Sequence, residues 1–368
     1  MRMTSIRSRM IGTLFLAGTV VVGITGPAMA APCNLRAELR DLAGQIAKTL
    51  SQAGESSISI GQVTGPPQLA ASGGPMIKHV LSEELKERGV CVKMRSKYGL
   101  GLRYRLIRDT KSGRHAVELA GEVSDLDGNR ICTFRRAVFG EEVIASVFGI
   151  TCTVPNTADG SRDEAVASKV RHPAPPCLTT HIRSCQKTPY SIEMLVLDPS
   201  CDRYRAVKAE SRDSLAFVSI GRKREYAIRV HNSSDADAAV RVYIDGLSMF
   251  SFSKSREYTH VIVPARSSTL IKGWHRDNCV SNRFLVTRYA DSPAARILQN
   301  TSDIGTVTVM FSAAWENEDD RPCDEPVSDC RRKSVNGTTV GKPVTVRYSE
   351  VSRWTGVVRS IVSVRYSR

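Results

Sequence analysis

The sequence of 368 residues lacks the common signatures of enzymes and of membrane-spanning proteins. It contains no Gly-x-Ser-x-Gly elbow, no Walker phosphate loop and no His-Glu-x-x-His pair, which are frequent signs of nucleophilic, nucleotide and zinc-protease chemistry. After residue 24, no apolar run approaches the roughly 20 residues that a transmembrane helix needs. These absences predict a mature protein with no catalytic residues, no cofactor and no membrane span.

What the sequence does have is the pattern of an export signal over residues 1–30. Arg2, Arg7 and Arg9 make its start positive, residues 11–24 are an apolar stretch, and Ala28-Met29-Ala30 supplies small residues for cleavage. We therefore expect the signal to be removed and the mature chain to be periplasmic or secreted. An uncleaved amino-terminal anchor is the alternative.

All ten cysteines follow this signal, and an even number in an exported protein predicts up to five disulfides. Short spacing favours the pairs Cys177–Cys185 and Cys323–Cys330, which leaves Cys201 for Cys279. The other four cysteines are predicted to pair among themselves: Cys33, Cys91, Cys132 and Cys152. A fully reduced chain is the alternative.

Two segments also admit an interpretation as metal sites. One has zinc-ligand spacing and comprises His172, Cys177, His181 and Cys185. The other resembles half of a calcium loop and comprises Asp125, Asp127 and Asn129, with Arg136 at the position of the usual glutamate. An oxidising compartment favours a disulfide in the first segment, and the wrong charge of Arg136 favours a hairpin turn in the second. The sequence therefore predicts no metal site.

The predicted fold class is α+β, beginning with a small α/β module on a mixed sheet over residues 31–152. Apolar residues at helical spacing predict helices over residues 34–52 and 75–88. Short strands follow each helix, and an Asp-Gly turn at residues 127–128 joins two further strands as a hairpin. This order can bury both helices on one face of the sheet.

Three segments of this module resemble the small periplasmic α/β module of the CsgG, LpoB, FlgO and TolB amino-terminal group. They are SSISIGQVTG at 56–65, GPMIKHVLSEELKERGVCV at 74–92 and VELAGEVSDLDGNRICTF at 117–134. The resemblance extends over residues 34–150 and implies an accessory or assembly role rather than catalysis.

The rest of the chain is predicted to be a connector and an all-β domain. Residues 153–189 carry Pro173, Pro175 and Pro176 with little apolar periodicity, which is typical of a connector. Residues 190–368 alternate short apolar strands with turn residues, which predicts a β-sandwich.

Part of this second region resembles a secreted β-sandwich domain of uncharacterised exported bacterial proteins. The matching segments are YAIRVHNSSDADAAVRVYIDGLSMF at 226–250, VIVPARSSTLIKGWH at 261–275 and IGTVTVMF at 304–311. The resemblance covers residues 190–315 and implies no particular activity.

The net charge of +15 is concentrated in two places that we take as candidate anion-binding sites. A basic strand pair near Tyr98 and Tyr104 comprises Lys93, Arg95, Lys97, Arg103, Arg105 and Arg108. Its candidate anion-binding residues are Lys93, Arg95, Arg103 and Arg105. The tail, residues 331–368, has Glu350 as its one acidic residue and contributes Arg347, Arg353, Arg359 and Arg365. We expect the tail to form two strands that complete the sandwich, with its arginines along one outer face. Charges on the solvated face of a sheet, with no partner, are the alternative.

Together these patterns predict an exported, non-catalytic binding or scaffolding protein of the cell envelope. Export argues against nucleic acid and favours an anionic envelope polymer or another envelope protein as the partner. The alternative is a secreted hydrolase acting on envelope polysaccharide, which would need a cleft with two carboxylates about 5–10 Å apart.

Overall fold

The computed structural model describes residues 35–66, 73–157, 159–179, 181–255, 258–286, 304–326, 331–334, 343–346 and 348–367. Residues Pro32–Arg368 belong to one compact unit. The predicted signal, residues 1–30, lies outside the described residues, as do Cys33, Cys330 and Arg347.

Helices are few and are concentrated before residue 172. The described residues form four α-helices: α1 (Leu35–Gln52), α2 (Gly73–Lys86), α3 (Glu141–Phe148) and α4 (Asp159–Arg171). In α1 the predicted apolar stripe is buried along its full length, which confirms that helix. None of the helices in the described part of the chain is long and apolar enough to cross a membrane.

Strands make up most of the regular structure. Those before residue 150 are β1 (Ser57–Thr64), β2 (Cys91–Lys93), β3 (Tyr98–Arg108), β4 (His115–Asp125) and β5 (Arg130–Phe139). Those of the middle are β6 (Cys152–Thr153), β7 (Cys177–Leu178), β8 (Ile182–Arg183), β9 (Tyr190–Asp198), β10 (Arg203–Ala206), β11 (Glu210–Arg212), β12 (Leu215–Ser219), β13 (Glu225–Asn232), β14 (Asp237–Ile244) and β15 (Leu247–Ser248). The last are β16 (Val261–Val263), β17 (Ser267–Ile271), β18 (Gly273–His275), β19 (Val280–Leu285), β20 (Ile304–Trp315), β21 (Arg331–Ser334), β22 (Pro343–Thr345) and β23 (Ser352–Ser367).

The first five strands and the first two helices form what we call the helix–sheet region. Its mixed sheet has the order β2-β1-β3-β4-β5, with β1 parallel to β2 and β3 and the other pairs antiparallel. The apolar residues of β3, such as Leu100 and Leu102, share one core with Leu39 of α1 and Leu81 of α2. Because strand residues alternate between faces, Arg103 and Arg105 lie on the other face, where both are exposed.

Two nine-stranded sheets form what we call the two-sheet region. One has the order β18-β19-β13-β9-β8-β7, with β10, β17 and β22 attached at its sides. The other has the order β11-β12-β23-β20-β14-β15, with β6, β16 and β21 attached. Their inner residues form a single second core, in which Ile192 and Val230 of the first sheet meet Val309 and Val362 of the second. The described structure is thus mostly β, with mixed sheets.

The described part of the tail forms three strands, β21, β22 and β23, rather than the two predicted. Strand β23 occupies the middle of its sheet rather than an edge. It lies between β12, to which it is parallel, and β20, to which it is antiparallel. Val362 and Val364 belong to the core of the two-sheet region, whereas Val358 and Ile361 belong to the core of the helix–sheet region. The expectation of strands with one free outer face is therefore wrong for β23, because both of its faces are covered.

The predicted connector contains a helix that packs into the protein. In α4, Val166 and Ala167 are fully buried, and so are the polar side chains of Arg162 and Asp163. Arg162 pairs with Glu141 of α3. Because α4 buries charged side chains as well as apolar ones, its sequence lacks the apolar stripe by which a helix is predicted. The division into two domains at this segment stays a prediction.

Candidate anion-binding groove

A groove formed by β3 and β4 of the helix–sheet region together with α4 collects basic side chains. Its volume is about 650 Å³. Its wall consists of Pro66, Arg105, Leu106, Ile107, Arg108, His115, Glu164, Val170, Arg171 and Pro173. The β3–β4 hairpin places Arg108 opposite His115, and the last turn of α4 brings Val170 and Arg171 to the same wall. Local hairpin pairing and one distant helix therefore build the groove together.

At one side of the groove, Arg105 forms an ion pair on the solvated face of the sheet. Its Nε lies 2.5 Å from Oε2 of Glu118, and Nε of Arg135 lies 3.2 Å from the other oxygen of the same carboxylate. Glu118 is buried beneath the two guanidinium groups, while Arg105 itself stays exposed. The hydrogen bond from Arg105 to Glu118 raises the pKa of that guanidinium. One carboxylate shared by two arginines leaves an excess of positive charge here.

At the opposite side, Glu164, His115 and Arg171 contact one another, with Nη2 of Arg171 2.7 Å from Nε2 of His115. Oε2 of Glu164 is 2.6 Å from Nε2 of His115, and Oε1 is 3.3 Å from Nη2 of Arg171. Nδ1 of His115 lies 3.2 Å from the carbonyl oxygen of Ile107, which fixes the ring. Burial opposes ionisation of Glu164, but the hydrogen bond from His115 and the charges of His115, Arg171 and Arg108 lower the pKa of Glu164.

The charges of the groove favour an anionic ligand. Of its described lining, Arg105, Arg108 and Arg171 are cationic and Glu164 is the single carboxylate. Arg108 donates through Nε to the carbonyl oxygen of Gly113 at 3.0 Å, which orients its guanidinium while other N–H groups remain. Guanidinium groups bind carboxylates and phosphates with charge-assisted hydrogen bonds. The arrangement suits binding, because its carboxylate is already held by His115 and Arg171.

The structure divides the basic residues that the sequence grouped together. Arg105 lines the groove and Arg103 lies next to it on the same strand face. Lys93, at the end of β2, and Arg95, in the loop after it, are exposed but do not line the groove.

The tail arginines do not form the predicted outer row. Arg365 is only 1% exposed and donates to the carbonyl oxygen of Phe148 at 3.3 Å. Arg359 pairs with Asp324 at 2.8 Å and Glu325 at 2.6 Å. Arg353 pairs with Asp237 and Glu316, at 3.4 Å in each case. The predicted outer row is therefore wrong for Arg353, Arg359 and Arg365, because the packing of β23 on both faces turns these three toward protein groups.

Of the predicted cysteine pairs, Cys177–Cys185 and Cys201–Cys279 lie within the described residues and are not bonded there. Eight cysteines are described and all are free thiols: Cys91, Cys132, Cys152, Cys177, Cys185, Cys201, Cys279 and Cys323. Strands β2 and β5 are the opposite edges of a five-stranded sheet, roughly 19 Å apart at about 4.8 Å per strand, so Cys91 cannot bond Cys132 within one chain. Disulfides elsewhere in the chain stay a prediction.

Cys152 lies at a site unsuited to exchange chemistry. It is 2% exposed in the core of the helix–sheet region, and burial raises its pKa to about 12. A thiol that stays protonated is a poor nucleophile and a poor metal ligand. Cys152 therefore contributes to packing.

The structure shows how the residues of the two metal interpretations are arranged. Asp125 accepts hydrogen bonds from the backbone N–H groups of Asp127 and Asn129, as a hairpin turn requires. The candidate zinc residues do not form a group among the described residues, where His181 lies instead with Glu193 and His231.

The sequence places Arg108 in the basic strand pair, but the other charged residues that complete the groove were not predicted. His115 lies opposite Arg108 in the hairpin of β3 and β4, so the alternation of these strands could have indicated it. Glu164 and Arg171 lie in the segment predicted to be a connector, where no apolar periodicity indicates a helix.

Comparison with known proteins adds no relative: the chain matches no protein-family model, no curated protein and no solved structure.

Proposed function

We propose that this is an exported, non-catalytic binding protein of the cell envelope that holds an anionic group of a polymer in the groove between β3, β4 and α4. The observation that carries the proposal is the convergence of Arg105, Arg108 and Arg171 on one cavity with Glu164 as its single described carboxylate. The apolar wall, which includes Leu106 and Val170, lowers the local dielectric and strengthens the attraction.

The export signal and the α+β organisation belong to the same proposal. A helix–sheet module that binds the ligand would be followed by a β-sandwich that supports it and offers a second surface to another envelope protein. The resemblance to the periplasmic CsgG, LpoB, FlgO and TolB module is consistent with this accessory role. A polysaccharide hydrolase needs two carboxylates facing each other across a cleft, and no observation of the described groove favours that alternative.

Binding of two polyanions of different chemistry tests the proposal. We would titrate the purified chain with sodium polyphosphate and with polygalacturonate and follow binding by calorimetry. The two probes separate phosphate from carboxylate recognition. Binding should weaken steeply between low and physiological salt, because ions screen charges beyond about 8 Å at 0.15 M.

A double substitution, Arg105→Gln with Arg108→Gln, should lower the affinity for the preferred polyanion at least about tenfold, since hydrogen bonds to charged groups contribute roughly 1.5–3 kcal/mol each. The matched control is Arg222→Gln with Arg224→Gln, which removes the same charge from an exposed turn of the two-sheet region. Equal losses in both double variants would mean that net charge, and not the groove, binds the polymer. Release of new reducing ends from polygalacturonate would support the hydrolase instead.

A further inference from the structure

A second cluster of functional side chains lies in the two-sheet region, on the outer side of the first nine-stranded sheet. Glu193 belongs to β9, His231 to β13, and His181 directly precedes β8. The register pairs Ile182 with Ile192 and His231 with Ser191, and β9 is the middle of the three strands. Neighbouring strands therefore bring together three residues that are far apart in sequence.

The polar atoms of this cluster converge. One ligand atom from each of His181, Glu193 and His231 lies within 4.8 Å of the others. Nε2 of His181 is 3.4 Å from Oε1 of Glu193, and Nε2 of His231 is 3.2 Å from Oε2. The two imidazole rings are stacked, with centroids 4.2 Å apart and an angle of 17° between planes. Both histidines thus present the same nitrogen to one carboxylate.

Neighbouring groups fix the orientation of two members. Nδ1 of His181 hydrogen-bonds Oγ of Ser191 at 3.1 Å, which leaves its Nε2 directed at Glu193. Arg229 donates to Oε2 of Glu193 at 3.0 Å and leaves Oε1 facing Nε2 of His181. Outer hydrogen bonds of this kind hold the ligands of protein metal sites in place. The three side chains are 25%, 11% and 19% exposed, respectively, so an ion can reach them from solvent.

We propose that His181, Glu193 and His231 bind a divalent transition-metal ion such as Zn²⁺. The ligands would be Nε2 of both histidines and Oε1 of Glu193. Two imidazoles and one carboxylate are a donor set that Zn²⁺ accepts, and three protein ligands leave a coordination position for water or a ligand. Arg229 stays on Oε2 and limits the carboxylate to one bond with the metal. This site is independent of the anion-binding groove.

The site differs from the zinc motif that sequence spacing suggests. That motif shares only His181 with the cluster and takes its other ligands from His172, Cys177 and Cys185. Thiolate ligands and nitrogen–oxygen ligands produce different spectra with Co²⁺, because thiolates add a strong charge-transfer band in the near ultraviolet. Substitutions outside the shared histidine therefore separate the two sites.

The test measures Zn²⁺ binding to the purified, chelator-treated chain by calorimetry and Co²⁺ binding by absorption spectroscopy. We expect one ion per chain, no thiolate band, and an affinity at least about tenfold lower in His181→Ala, His231→Ala and Glu193→Gln. The controls His172→Ala and Cys185→Ser should bind like the unsubstituted chain, since His172 is exposed and belongs only to the sequence motif.

A second measurement protects the test against misfolded variants. Zn²⁺ should raise the melting temperature of the unsubstituted chain and of both controls, but not of His231→Ala or Glu193→Gln. Circular dichroism would show that these surface variants retain their structure. Unchanged Zn²⁺ affinity in folded His231→Ala and Glu193→Gln, a thiolate band, or no binding at all would each overturn the proposal.

Discussion

Strands β3 and β23 both carry several arginines, but these arginines lie in different environments in the two strands. On β3, Arg103 and Arg105 lie exposed on a sheet whose other face is covered by helices. On β23, Arg359 pairs with carboxylates and Arg365 is buried. The same alternation therefore produces an exposed basic surface in one region and internal structure in the other. The two strands differ in whether a second layer of structure covers the face that carries the arginines.

Arg365 of β23 retains its charge despite the loss of water. Burial lowers the pKa of Arg365 to about 10, which leaves the guanidinium protonated at neutral pH. The carboxylate of Glu325 is also buried, and it accepts a hydrogen bond from the backbone N–H of Val357 as well as one from Arg359. Buried charges need such partners, because an uncompensated charge in a protein interior is strongly destabilising. These arginines therefore connect β23 to its neighbours.

The largest effect should follow from removing β23. Truncation after Cys330 removes a strand that contributes to both cores and pairs with β12 and β20. We expect insoluble or unfolded protein, because two sheet edges and both cores would be exposed. Solubility and circular dichroism of the truncated chain are the measurements. A soluble product with cooperative thermal unfolding would contradict the central position of β23.

Charge reversal on the two strands makes the comparison direct. Arg365→Glu should destabilise the protein by more than about 4 kcal/mol, because it places a negative charge in a buried site next to the carbonyl oxygen of Phe148. Arg103→Glu makes the same change at an exposed position and should alter stability by less than about 0.5 kcal/mol. Denaturant unfolding measures both. Similar losses would show that the two strands do not differ in burial.

A glycine-to-alanine substitution in each of the two regions tests packing without changing any charge. A Cβ at Gly305 would lie 2.1 Å from the ring of Tyr366, whose hydroxyl bonds Asp245 at 3.3 Å. Gly305→Ala should therefore cost about 1–3 kcal/mol, as overpacking does. Gly101 has no atom within 4 Å of such a Cβ, so Gly101→Ala should be neutral or stabilise by up to about 1 kcal/mol. Equal melting temperatures of the two variants would argue against this difference.

The smallest effect concerns acid stability of the helix–sheet region. Burial opposes ionisation of Glu84, but hydrogen bonds and charges from Arg36 and Arg40 lower its pKa. A lowered pKa in the folded state gives stability that is complete above the pKa of the unfolded chain, about 4.3, and is lost as the pH falls through the folded value.

The variant Glu84→Gln should therefore be less stable than the parent at pH 7, and this difference should shrink at acid pH. Thermal unfolding at several pH values measures it, with the exposed Glu87→Gln as the control. A stability difference that does not change with pH would mean that Glu84 acts through packing alone.

Local patterns in the sequence predicted much of the helix–sheet region correctly. The leucine stripe of α1, the alternation of β3 and the Asp125 turn are all confirmed, because each depends on residues within a few positions of one another. The same alternation places Arg105, a predicted anion-binding candidate, on the solvated face of its strand, where it lines the groove.

Tertiary structure decided which strands have a second layer and which distant residues meet. The alternation of apolar and polar residues shows that one face of a strand is apolar. It cannot show whether the polar face of β23 lies in solvent or packs against α3. Helix α4 depends on ion pairs with partners elsewhere in the chain, such as Glu141, and so leaves no periodic signal. His181, Glu193 and His231 meet only because the register of three strands aligns them. The sequence by itself determined the local elements, whereas burial of charge and assembly of sites depend on long-range packing, which no short-range pattern encodes.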